Sequence, residues 1–137
     1  MPETEYLISF ASPTPDEYIA LRAAAGLAAK TPEAAELGLR GSWFGVTARK
    51  GGEAVGMGRL VGDGGLHFLV CDLAVHPEHQ GQGLGKRIIA ALVEHLEQNA
   101  LRSAFALAVT DEDRQGLFRE FGFERSVEAS VALGRTF

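Results

Sequence analysis

Leu73-Ala74-Val75-His76-Pro77-Glu78-His79-Gln80-Gly81-Gln82-Gly83-Leu84-Gly85-Lys86-Arg87 is the stretch on which the reading of this chain turns. It runs from an apolar strand through a glycine-rich loop into a helix. Glycine tolerates positive φ and lets backbone approach a ligand closely. The helix start adds N–H groups without intrahelical acceptors and about half a positive charge. Loop and helix start together suit an anion, best a phosphate or pyrophosphate. Lys86 and Arg87 add positive charge beside it. A tight turn alone would not need the strand, Gln80, three glycines and the helix together.

Two common phosphate signatures fail here. The P-loop spacing G-x-x-x-x-G-K-[ST] would put its first glycine at Gln80 and its hydroxyl at Arg87. The dinucleotide pattern G-x-G-x-x-G would need a glycine at Lys86 or at Ile88.

Working outward, Leu84 to Gln98 reads as an amphipathic helix. Ile88, Leu92 and Leu96 recur every fourth residue, and Ile89 and Val93 widen the stripe. Leu66 to Val75 reads as a central strand buried on both faces. With regular pairing, His67, Leu69 and Cys71 share one face; Phe68, Val70 and Asp72 share the other. Trp43–Arg49 and Glu53–Val61 are strands joined at Lys50-Gly51-Gly52. Tyr6–Phe10 is a first strand. Helices start at Thr14-Pro15 and Thr31-Pro32, each a cap followed by proline. Ala104–Val109 is a further buried strand, and Asp111–Glu120 a short helix ended by Gly122. Val127, Ala129, Val131 and Leu133 alternate as a last strand.

At 137 residues the chain reads as one domain, 1–137. Apolar residues make up 46% and charged ones 23%, which excludes disordered and collagen-like classes. The longest apolar run is six residues, far short of the ~20 a membrane span needs. No membrane role is expected. The acidic start lacks an apolar signal core. One cysteine, Cys71, allows no internal disulfide and fits a cytoplasmic setting. A net charge of −5 without a basic run disfavours nucleic acid as a partner. His76 and His79 lack a third ligand of suitable spacing, so no metal is expected.

Gln80-x-x-Gly83-x-Gly85 resembles the acyl-CoA-binding signature of the GNAT superfamily of N-acetyltransferases. Leu73-Ala74-Val75-x-Pro77 before it, the helix after it, and Phe121-Gly122-Phe123 after a short helix match that family as well. The resemblance implies an α/β (mixed α+β) GNAT fold. Its central, mostly antiparallel sheet of six to seven strands is splayed between the fourth and fifth, with helices on both faces. The implied cofactor is acetyl-CoA. Its pantetheine arm would pair with Leu73 and Val75, flanking Ala74, and pack against Phe118. Its pyrophosphate would rest on Gln80, Gly81, Gln82, Gly83, Leu84, Gly85 and Lys86. The N–H near Val75 would polarise the thioester carbonyl. The implied reaction is transfer of the acetyl group to a primary amine of a small molecule, by direct attack in a ternary complex.

The late helix departs from the family pattern N-x-x-A-x-x-L-Y-x-x-x-G-F. Asp111 stands at its asparagine, Arg114 at its alanine and Phe118 at its tyrosine, the usual general acid. That departure keeps a second reading open, a non-catalytic acyl-CoA-binding module. Protein or peptide N-acetylation is a third. Asp72 is the candidate base, a carboxylate in an apolar strand beside the thioester site. Its alternative reading is an ion pair with an arginine such as Arg59. His67 is the second candidate base. Arg22, Trp43 and Phe68 are candidate acceptor contacts. Cys71 reads as a structural thiol. The acidic charge suggests a cationic acceptor. The alternating last strand offers a sheet edge for a homodimer.

Overall fold

A computed structural model describes residues 5–125 and 132–137. Five strands, β1 (Leu7–Ser9), β2 (Phe44–Lys50), β3 (Glu53–Gly62), β4 (His67–Val75) and β5 (Phe105–Ala108), form one sheet in sequence order. β1 to β4 pair antiparallel and β5 joins β4 in parallel. The expected count of six to seven strands is therefore corrected to five among the described residues. The expected last strand falls mainly on residues 126–131, outside them; Leu133 carries no strand pairing.

Among the described residues, four helices surround the sheet. α1 (Pro15–Ala24) starts at Thr14, whose hydroxyl accepts from the Glu17 N–H while Glu17 accepts from the Thr14 N–H, a reciprocal cap. α2 (Pro32–Arg40) starts at Thr31, which accepts from the Ala34 N–H. α3 (Leu84–Asn99) follows the glycine loop, and α4 (Gln115–Arg119) the short turn Glu112–Arg114.

The apolar stripe of α3 makes the main core. Leu84, Ile88, Ile89, Leu92, Val93 and Leu96 are buried against Val46, Leu60, Val70 and Val75. Each is worth roughly 1.5–3 kcal/mol of burial. The helix lies so close to β3 that a Cβ on Gly58 would come within 2.7 Å of Ile88. On the other face, Tyr18 and Leu21 of α1 and Ala35 of α2 pack on Met57 and Ala74. Helices thus lie on both faces, as expected.

Strand β4 is not regular. β3 and β4 pair Met57 with Ala74 but Arg59 with Cys71, so Gly58 faces two residues, Asp72 and Leu73. Asp72 absorbs this bulge with φ +59°, a conformation aspartate tolerates better than most residues. The bulge turns Asp72 away from Phe68 and Val70 and toward α1. It then lets Leu73 and Val75 rejoin the α3 core.

Candidate active site

β4 and β5 pair only from His67–Phe105 to Val70–Ala108. Beyond that the strands part, and β4 continues through Val75 with an open edge. The His76 N–H donates to Val55 O at 2.8 Å. By strand alternation, the Val75 N–H and C=O then face the gap. Two side chains occupy carbonyls there: Gln80 Nε2 donates to Val75 O at 3.0 Å, and Arg114 Nη1 to Leu73 O at 3.1 Å.

The glycine loop lies at the far end of this edge. Gly81 and Gly83 have φ +79° and +78°. Gly83 caps α3 without any side-chain hydrogen bond, so the first-turn N–H groups have no side-chain acceptor. Leu84 is buried in the core, so it can offer a ligand only backbone. Lys86 pairs with Glu120, just past α4, at 3.0 Å, an exposed contact of small energy. The loop histidines are engaged locally. His76 Nδ1 accepts from the Glu78 N–H, and His79 Nδ1 lies 2.9 Å from the Tyr6 hydroxyl.

A cavity of about 300 Å³ fills the gap, lined among others by Arg22, Leu27, Cys71, Asp72, Arg114 and Phe118. Asp72 is engaged at both oxygens. Arg59 Nε donates to Oδ2 at 2.6 Å, Arg22 Nη1 to Oδ1 at 2.7 Å, and the Tyr18 hydroxyl to Oδ1 at 3.0 Å. Its side chain is 8% exposed. The arrangement is the arginine pair foreseen as the alternative for Asp72, with a second arginine and a tyrosine added. Burial pushes the Tyr18 hydroxyl pKa up, and the charge of Asp72 adds to that. Burial also raises the Cys71 thiol to about 11, with Asp72 contributing. The thiol is therefore protonated at neutral pH and a poor nucleophile.

Phe118 is buried, stands edge-on to Phe123 at 5.7 Å and forms part of the cavity wall. The buried Thr110 hydroxyl in the same wall has no hydrogen-bond partner among the described residues.

Three sequence expectations are corrected here. Trp43 and Phe68 do not line this cavity. Their rings meet at a tilt with centroids 4.4 Å apart, and Trp43 meets His95 of α3 at 4.9 Å, in the core at the paired end of the sheet. His67 is exposed at the start of β4. It lies six residues, roughly 20 Å of strand, from Leu73. Arg114 and Tyr18 were missed. Tyr18 and Arg22 share a helix face by their four-residue spacing, a signal that was available. For Arg114 nothing in the spacing marks it, since the family pattern puts alanine there.

A family model, "Acetyltransferase (GNAT) family", matches residues 8–123, and the chain belongs to that family. The structure is similar to that of a probable acetyltransferase of unknown function from meticillin-resistant Staphylococcus aureus. That protein is 32% identical, with a TM-score of 0.91 over 97% of this chain and 100% of that one. A GNAT family protein from Streptococcus pneumoniae is 27% identical, with a TM-score of 0.74 over 96% of this chain and 100% of that one. In sequence, the chain is 32% identical over 69 residues to an uncharacterized N-acetyltransferase of Pyropia yezoensis. The match covers 50% of this chain and 38% of the relative. A chloroplastic GCN5-related N-acetyltransferase of Arabidopsis thaliana is 34% identical over 74 residues, covering 54% and 28%. The chain thus spans well under half the length of these curated relatives.

Proposed function

We propose that this domain transfers the acetyl group of acetyl-CoA to the primary amine of a small molecule in a ternary complex. The observation that carries the reading is the open edge of β4. It offers the backbone of Leu73 and Val75 to the gap and runs straight into the uncapped, glycine-started helix α3. The bound cofactor supplies an activated acyl thioester.

The residues present fit that cofactor. Leu73 and Val75 would pair with its amide arm once Arg114 and Gln80 release their carbonyls. The loop Gln80–Lys86 would hold its diphosphate on backbone N–H groups. The Val75 N–H, turned into the gap, would face the thioester oxygen. Phe118 gives the arm an apolar wall. The amine nitrogen would form the amide bond as the C–S bond breaks, and the proton given up by the amine would balance the one taken up by the leaving thiolate. Asp72 serves this chemistry as an anchor for Arg22 and Arg59 rather than as the base, because its oxygens already accept three hydrogen bonds.

Phe118 favours one second reading. A phenyl ring donates no proton, so the site lacks the family's usual acid and could serve as an acyl-CoA-binding module without turnover.

Thermal unfolding with acetyl-CoA, CoA and NAD separates the readings. Acetyl-CoA at 100 times its dissociation constant should stabilise the fold by about 2.7 kcal/mol, and NAD by nothing. Thiol release with a panel of small amines then supports the enzyme. Binding with no turnover supports the module, and no stabilisation overturns both.

A further inference from the structure

Two arginines, Arg22 and Arg114, line the cavity, and they spend their charge differently. Arg22 and Arg59 share the single carboxylate of Asp72. Tyr18 adds a hydrogen bond to that carboxylate but no charge. Across the cavity, the Arg114 guanidinium rests on a neutral carbonyl, that of Leu73, while Asp111 Oδ1 accepts from the Arg114 backbone N–H. Among the described residues that line the cavity, two guanidinium groups stand against two carboxylates, and Arg59, outside the lining, also draws on the charge of Asp72. The net −5 of the whole chain counts for little at this range. Exposed charges are largely screened beyond about 8–10 Å, whereas partly buried ones are screened much less.

Arg22 is built to present its charge. Its Nε donates to Ala28 O at 2.8 Å and its Nη1 to Asp72 at 2.7 Å. Nη2 has no acceptor among the described residues, and the residue, nine-tenths buried, lines the cavity. A guanidinium held on two sides with its third edge free is a pre-organised receptor for an oxyanion. Charge-assisted bonds of that kind are about twice as strong as neutral ones.

The geometry points to an acceptor that carries an anionic oxyacid group, a carboxylate or a phosphate, as well as its amine, with Arg22 as the residue that reads the anion. This rests on the acetyltransferase reading above, and it reverses the cationic acceptor suggested by net charge. Asp72 and Ala28 fix the Arg22 guanidinium. The anion on Nη2 then holds the amine within the gap, beside the open edge of β4.

Matched pairs of amines test it: glycine against glycinamide, β-alanine against its amide, and phosphoethanolamine against ethanolamine. Within each pair kcat/KM is measured for wild type, Arg22→Gln and Arg22→Lys. Comparing the ratio across variants cancels the difference in amine basicity. Arg22→Gln should lower the anionic-to-neutral ratio at least about tenfold, the worth of one charge-assisted hydrogen bond. Arg22→Lys should fall between. If Arg22→Gln does not fold, Arg22→Lys carries the test. The pair that shows the larger change separates carboxylate from phosphate. A ratio that Arg22 substitution leaves unmoved overturns the proposal. So does turnover of no amine while acetyl-CoA still stabilises the fold, which leaves the cofactor reading standing. Loss of that stabilisation as well would mark the failure of the acetyltransferase reading itself.

Discussion

Asp72 carries two incompatible roles in principle, and its surroundings choose between them. A base needs an oxygen open to the substrate, whereas both oxygens of Asp72 are engaged by Arg22, Arg59 and Tyr18. Neutralising the side chain by substitution would leave Arg22 and Arg59 without their shared counter-charge in a buried site. Removing one member of a buried ion pair typically costs 3–5 kcal/mol, because the partner is left uncompensated. Asp72→Asn should therefore lower stability by about 3 kcal/mol, read as a shift in the urea midpoint at constant slope. The amide retains aspartate's tolerance of φ +59° at the bulge, so the loss reports charge rather than backbone strain. A variant that unfolds near the wild-type midpoint, yet loses turnover while still binding acetyl-CoA, would restore the catalytic role.

At the scale of elements, the glycine loop separates conformational need from close approach. Gly81 and Gly83 sit at positive φ, where most side chains are strained by roughly 1–2 kcal/mol. Gly85 is different. It lies inside the first turn of α3 with no positive φ, and an added Cβ would meet Leu117 only at 3.8 Å, an ordinary contact. Gly83→Ala should thus destabilise by about 1 kcal/mol and weaken acetyl-CoA. Gly85→Ala should leave the apo fold as stable or raise it by up to ~1 kcal/mol, since alanine is the better helix former. Chemical unfolding and calorimetric titration of both variants give the comparison. A Gly85→Ala protein that is stable yet binds acetyl-CoA tenfold worse would assign Gly85 to backbone approach by the ligand. Gly85→Ala binding as tightly as wild type would make the third motif glycine dispensable here.

Across the whole molecule, what was legible follows from periodicity and what was not follows from tertiary pairing. The α3 stripe, both cap-and-proline helix starts and the long β4 run are local patterns, and each became the element it predicted, although β4 is not buried on both faces as expected, since His67 and Leu69 are exposed. The parting of β4 and β5 was visible only through family resemblance. The bulge at Asp72 was not legible, because it depends on Gly58 of another strand lacking a single partner. That one irregularity decides the candidate base, since it swings Asp72 from the α3 face to Arg22. Trp43 and Phe68 misled because an aromatic residue reads alike in a core and in a pocket. The same logic of contacts between distant segments governs acid stability. Glu17 of α1 holds Arg49 of β2 through two bonds of 2.7 and 2.9 Å, tying a helix to the sheet. The Arg49 hydrogen bonds, aided by those from Thr14, bring the Glu17 carboxyl down from 4.5 to about 2. A depressed carboxyl stabilises the fold fully above its unfolded pKa, and this is lost as pH falls through the folded value. The pair is partly solvated, so screening limits its worth to about 1 kcal/mol. Glu17→Gln should then melt about 3–4 °C below wild type at pH 6–7. The gap should narrow between pH 4.5 and 2 and close at its lower end. Melting curves recorded across that range test this. A gap that persists unchanged at pH 2 would show that Glu17 acts through its reciprocal cap with Thr14, which a glutamine at this position also supports, and not through its charge on Arg49.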